Sequence, residues 1–126
     1  MNIGTWNVKG LSTKQNELLN EIKRFDMDIA AVTEIKKQCK GMVVIGIYAP
    51  CNDELHTVKD DHDDNLNQLL NTIGSRKEIT ILGDFNAHVG SKANDPVVGP
   101  YGENYLNDNG SRLIEICYQH SLQIKN

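Results

Sequence analysis

Apolar positions along this chain switch repeatedly between the period of a strand and that of a helix. Ile3 to Val8 is rich in β-branched and aromatic residues and predicts a strand, ended by the turn signal Lys9-Gly10. Leu18, Leu19, Ile22 and Phe25 follow at helical spacing behind a capping box of Ser12 and Gln15. Asp28 to Glu34 predicts a second, buried strand, and the strand–helix–strand order favours parallel pairing with the first. Met42 to Tyr48 predicts a third strand, stopped by Pro50. Asn52 to Asp64 reads as a loop whose carboxylates, Asp60, Asp61, Asp63 and Asp64, lead into a helix marked by Leu66, Leu69, Leu70 and Ile73, with Gly74 at its C′ position. Glu78 to Leu82 predicts a fourth, buried strand. A last helix begins at Leu113, Ile114 and Cys117, and Leu122 to Lys125 starts another strand.

Between the fourth strand and the last helix lies a long irregular stretch, Gly83 to Gly110, with five of the chain's ten glycines and two of its three prolines. A loop that long in a compact domain is usually functional or disordered. The pattern as a whole is α/β, and 126 residues make one domain of ordinary size, 1–126.

Composition narrows the function classes. With 39% hydrophobic and 24% charged residues the chain is globular rather than disordered. A formal charge of −4 is the wrong sign for gripping nucleic acid by phosphate neutralisation alone, and suits a site where carboxylates hold a cation that faces a phosphate. Cys39, Cys51 and Cys117 are odd in number and widely spaced, which predicts free thiols rather than a disulfide framework or a zinc knuckle. No apolar stretch reaches membrane-spanning length and the N-terminus carries no signal-sequence pattern, so the expectation is an intracellular protein with no membrane partner.

Gly83-Asp84-Phe85-Asn86 follows the apolar run Ile79 to Leu82 directly. Two readings stand side by side. Asp84 and Asn86 form an Asx-type turn at a strand end, or they supply a carboxylate and a carboxamide to a reactive site. The second gains from company, because Asn7, Glu34 and Tyr48 also sit where strands end, and open α/β sheets place ligands beyond strand carboxyl ends.

Thr5-Trp6-Asn7-Val8, Thr33-Glu34, Ile47-Tyr48-Ala49-Pro50 and Leu82-Gly83-Asp84-Phe85-Asn86-Ala87 resemble, in that order, the motifs of the endonuclease/exonuclease/phosphatase superfamily. The wording is nearest that of LINE-type retrotransposon endonuclease domains and the craniofacial-development-protein-2-like proteins, and Val97 to Gly102, Asn107 to Gly110 and Arg112 to Glu115 resemble that subgroup too. The resemblance implies a two-sheet α/β sandwich, here partial, and Mg²⁺-dependent hydrolysis of a DNA phosphodiester, with Mn²⁺ as a substitute. It implies nuclear rather than cytoplasmic residence. By the same resemblance Glu34 and Asn7 are metal-site residues, and Tyr48 contacts the scissile phosphate. Asp84 orients or deprotonates the attacking water, and Asn86 stabilises the phosphate.

Two departures weaken the implied activity. The family has several dozen residues between its Glu and Tyr motifs where this chain has only Ile35 to Gly41, and its closing Ser-Asp-His motif does not occur here. His88 and His120 lie in other contexts, and neither is given the catalytic role. The chain thus reads as an internally deleted, C-terminally truncated nuclease domain of weak or no activity. The alternatives are a non-catalytic remnant that binds nucleic acid or metal, and a phosphatase of the same superfamily.

Overall fold

The computed structural model describes residues 3–7, 29–35, 42–74, 77–100 and 102–125. The helix expected over Ser12 to Phe25, the turn from Lys36 to Gly41 and Cys39 lie outside them. The described residues are mixed α/β: strands β1 (Ile3–Asn7), β2 (Ile29–Ile35), β3 (Met42–Tyr48) and β4 (Glu78–Asp84), and helices α1 (His56–Ile73) and α2 (Asp108–Gln119). They group into two compact units. No described helix is long and apolar enough to cross a membrane.

The first unit takes in Met1–Tyr48 and Asn71–Gly83 and carries the sheet, with strand order β1-β2-β3-β4. β1 and β2 pair in parallel, as the strand–helix–strand order predicts. β3 keeps the predicted bounds, and its period-2 pattern buries Val43, Ile45 and Ile47. β4 is not the buried strand expected. Ile79, Thr80 and Ile81 are half-buried and Leu82 is exposed, and β4 ends the strand order among the described residues. Gly83, at φ +150°, passes so close to β3 that a Cβ would overlap the Ile47 carbonyl.

The second unit, Ala49–Leu70 with Asp84–Asn126, is built on two helices. The acidic run does not precede α1 as expected. The helix starts four residues before Asp60, after a turn closed by the Glu54 N–H on the Cys51 carbonyl (3.1 Å). Its carboxylates instead serve the other helix. Arg112 of α2 donates to Asp60 (2.7 Å) and Asp63 (3.0 Å), while the buried Lys59 reaches Asp108 (2.6 Å) and the Asn52 carbonyl (3.0 Å). Lys59 with Asp108 and Asp63 with Arg112 advance four residues on each helix, and Asn67 with His120, just past the end of α2, lies further along in the same direction (2.9 Å). The two helices therefore lie side by side and run the same way. The Lys59 ammonium first, then Arg112, holds the Asp108 carboxyl below the usual range. The Asp60 and Asp63 carboxylates raise the Arg112 guanidinium further above its own.

On the other side of α2 a small core gathers Val89, Val97, Val98, Ile114 and Cys117, with Leu113, Leu122 and Ile124 against it. Burial pushes the Cys117 thiol up to about 11, which keeps it protonated and unreactive at neutral pH, whereas Cys51 is exposed. Both are free, as their spacing predicts. Leu122 to Lys125 forms no strand. Its Ile124 N–H donates to the Val97 carbonyl (2.9 Å).

Tyr118 of α2 donates to Asp95 (2.6 Å), which also accepts the Val97 and Val98 N–H groups. The phenol first, then the two N–H groups, holds the Asp95 carboxyl below its usual 3.8, and the same bond raises the Tyr118 phenol above its usual 10.0. A lowered carboxyl contributes stability that is present above the unfolded value and is lost as pH falls through the lowered one. A raised phenol contributes stability present below its unfolded value and lost as pH rises through the raised one. Tyr118→Phe is therefore expected to flatten the acid limb of a melting-temperature profile below the usual carboxylate range. An acid limb unchanged from the parent chain would show that the bond carries no pH-linked stability.

Candidate functional site

Strand register decides where the expected site residues lie. In the parallel β1–β2 pair Asn7 is level with Thr33, one residue from Glu34. In the β2–β3 pair Val32 faces Val44 and Ile35 faces Met42, so three steps on β2 match two on β3, and Thr33 and Glu34 together oppose Val43. Thr33 and Glu34 thus lie at a break in the β2–β3 register. Asn7 and Glu34 share one end of the sheet.

Tyr48 does not join them. β3 runs against β2, so Tyr48 lies at the opposite end, five residues beyond Val43 and about 17 Å away along the strand at ~3.4 Å per residue. The reason is covalent. Parallel neighbours need a crossover of about a dozen residues or more, and the connection from Ile35 to Met42 is shorter than that. Asn7, Glu34 and Tyr48, all expected at strand ends, thus lie at two different ends of the sheet.

Asp84 and Asn86 belong to the second unit. The Asp84 carbonyl accepts the Ala49 N–H (2.8 Å), and its carboxylate accepts the Asn86 N–H (2.9 Å). That is the Asx turn, with Asn86 in the left-handed region at φ +46°, a conformation Asn tolerates better than most residues. The turn does not use up the carboxylate. Asp84 is exposed, and its second oxygen has no partner among the described residues. The Asn86 side chain donates to the Ala49 carbonyl (2.8 Å), which leaves its amide one further N–H.

What holds this loop in place is the first turn of α2. Asn107, the N-cap, accepts the Gly110 N–H (2.7 Å) and the His88 N–H (3.0 Å) on one oxygen and donates to the Asn86 carbonyl (3.2 Å). Asn109 donates to the Asn86 carbonyl (3.2 Å) and to the Pro50 carbonyl (2.8 Å), and its N–H meets the Asn52 side chain (3.3 Å). Both asparagines are buried. The segments after Tyr48 and after Asp84 are thus tied to one helix N-terminus. Sequence reasoning left Asn107 to Gly110 in the irregular stretch, although an Asn three residues before Gly110 and six before the apolar Leu113 is a helix-start signal.

Next to the clamp, Nδ1 of His88 lies 2.7 Å from a Glu103 carboxylate oxygen, and the two rings of His88 and Tyr105 sit 5.1 Å apart at 55°. Among the described residues no three His, Cys, Asp or Glu side chains gather as a metal cluster.

The chain is similar to craniofacial development protein 2. It is 34% identical to the Bos taurus protein over 89 residues, which are 68% of this chain and 14% of that protein. Against the Tragulus javanicus protein it is 32% identical over 89 residues, 68% of this chain and 15% of that protein. The match therefore spans only a small part of either relative. No family model and no solved structure matches the chain.

Proposed function

We propose that this chain derives from an endonuclease/exonuclease/phosphatase domain of the LINE retroelement kind. Its sheet corresponds to part of the two-sheet sandwich, and DNA is the ancestral substrate, met in the nucleus. The chain keeps a loop that faces a phosphodiester, and it hydrolyses that bond weakly or not at all. Four ordered motifs support the descent. The antiparallel β2–β3 register carries the impairment, because it sets Tyr48 apart from Asn7 and Glu34.

The roles follow from the chemistry of each group. The exposed Asp84 carboxylate, pinned through one oxygen, keeps the other to accept a proton from water. Asn86 has one amide N–H left for a phosphate oxygen. Asn7 and Glu34 offer an amide oxygen and a carboxylate, hard donors that suit Mg²⁺ or Mn²⁺. An ion held there would supply Lewis-acid chemistry. Tyr48 would serve the phosphate through its phenol, and its place at the other end of the sheet is what lowers the rate.

The test is nicking of supercoiled plasmid in Mg²⁺ and in Mn²⁺. The expected result is slow nicking that EDTA and Asp84→Ala both remove, or none. Robust nicking lost in Asp84→Ala would overturn the impairment. Phosphate release from inositol phosphates without nicking would favour a phosphatase.

A further inference from the structure

We propose that His88 and Tyr105 form a stacking site for a nucleobase beside the Asp84–Asn86 loop. The proposal deepens the reading above and rests on that loop facing a phosphodiester. Both rings are available: the His88 side chain is 48% exposed and Tyr105 58%. Crossing at 55°, they do not cover each other's faces, so each keeps a π surface for a third ring.

The rings are held in advance of any ligand. His88 is fixed through its backbone at both ends, its N–H on the Asn107 side chain (3.0 Å) and its carbonyl on the Asn107 N–H (3.1 Å). The imidazole is fixed by Glu103, and since a carboxylate only accepts, the ring carries hydrogen on Nδ1. The segment bearing Tyr105 folds back antiparallel through the Val89–Leu106 and Lys92–Gly99 bridges. Ser91 donates to the Pro100 carbonyl (2.9 Å), and Gly102 lies so close to Gly90 that a Cβ would overlap the Gly90 carbonyl. A base that stacks here therefore pays little ordering entropy.

The occupant follows from charge and position. At a formal −4 this protein gains little from phosphate neutralisation, so affinity for a strand has to come from stacking. His88 follows Asn86 by two residues, within about 7 Å of extended chain, so a strand with its phosphate at the loop brings a neighbouring base to the rings. An inositol or sugar headgroup has no π face to offer.

The experiment measures binding by the full chain in EDTA, where no hydrolysis occurs. The probe is a labelled single-stranded DNA of about eight nucleotides, within the usual site size, against an abasic strand of the same length. The intact strand is expected to bind more tightly. Tyr105→Ala and His88→Ala are each expected to weaken it by about 5- to 150-fold, the measured range for one stacked base. Tyr105→Phe is expected to bind as the parent does, and the abasic strand to be indifferent to all three changes. Equal binding of the two strands, no binding of either, or an unchanged affinity in Tyr105→Ala overturns the proposal. Base-dependent binding without plasmid nicking leaves the stacking site standing and removes the hydrolysis. Nicking with no base-dependent binding does the reverse.

Discussion

Gly110→Ala is expected to destabilise the second unit by about 3 kcal/mol or more, at the severe end for a single methyl added to a packed site. On propensity alone the sign is opposite, since Ala is favoured over Gly within a helix by about 1 kcal/mol. Packing decides. A Cβ on Gly110 would overlap the His88 carbonyl oxygen, sit 2.7 Å from its carbon and press on the Asn107 side chain at 3.1 Å. The obstacle is backbone, and that backbone is held in turn by Asn107, so neither side yields cheaply. Either α2 withdraws from the loop and breaks the bonds to His88, or its first turn unwinds. Thermal melting is expected to fall by roughly 10 °C or more. Gly99→Asn is the control: the left-handed φ of +70° strains any side chain, but Asn bears it best and nothing lies within 4 Å of a Cβ, so it should cost about 1 kcal/mol or less. Equal melting temperatures for Gly110→Ala and the parent chain would mean that α2 does not approach His88 so closely.

Where short-range pattern is the whole cause, the sequence is legible. β3 forms at its predicted bounds because alternation and Pro50 specify it locally. The Asx turn at Asp84 is equally local, an accepting side chain two residues before the donor. Failures begin where a partner distant in sequence decides. Asp60 and Asp63 look like N-terminal helix charges until Arg112, about fifty residues on, claims them. The apolar run Ile79 to Leu82 suggests a buried strand, yet Leu82 is exposed on a strand that ends the strand order among the described residues, a place no local window encodes. The separation of Tyr48 from Glu34 was legible in principle, because the short connection from Ile35 to Met42 already forbids a parallel crossover. The motif order suggested a shared site; the connection length was the stronger physical constraint.

That constraint gives the candidate site its character. Asn7 and Glu34 are brought together by parallel register, while the Asp84–Asn86 loop is built by a different device, the N-terminus of α2. A protein can lose the first arrangement and keep the second, since they depend on different hydrogen bonds. Binding at the loop and hydrolysis are therefore separable properties.

Asn107→Ala is expected to cost about 2–4 kcal/mol, the second large effect. Removing an N-cap side chain costs about 1 kcal/mol on its own. Here the same oxygen also serves the His88 N–H, so truncation orphans a second, part-buried donor, worth about 1–3 kcal/mol. The Asn86 carbonyl loses one donor and keeps Asn109, so that bond adds little. Asn107→Asp separates these contributions. It retains both accepting bonds and places a negative charge at the helix N-terminus where the dipole favours it, but turns an acceptor oxygen toward the Asn86 carbonyl in place of the donor. It should recover part of the loss in urea unfolding. The local readout is exchange of the His88 amide, fast in Asn107→Ala and protected in Asn107→Asp. If the aspartate variant is as unstable as the alanine one, the donation to Asn86 rather than the cap holds the loop, and Asn109→Ala should then be the more damaging change of the two.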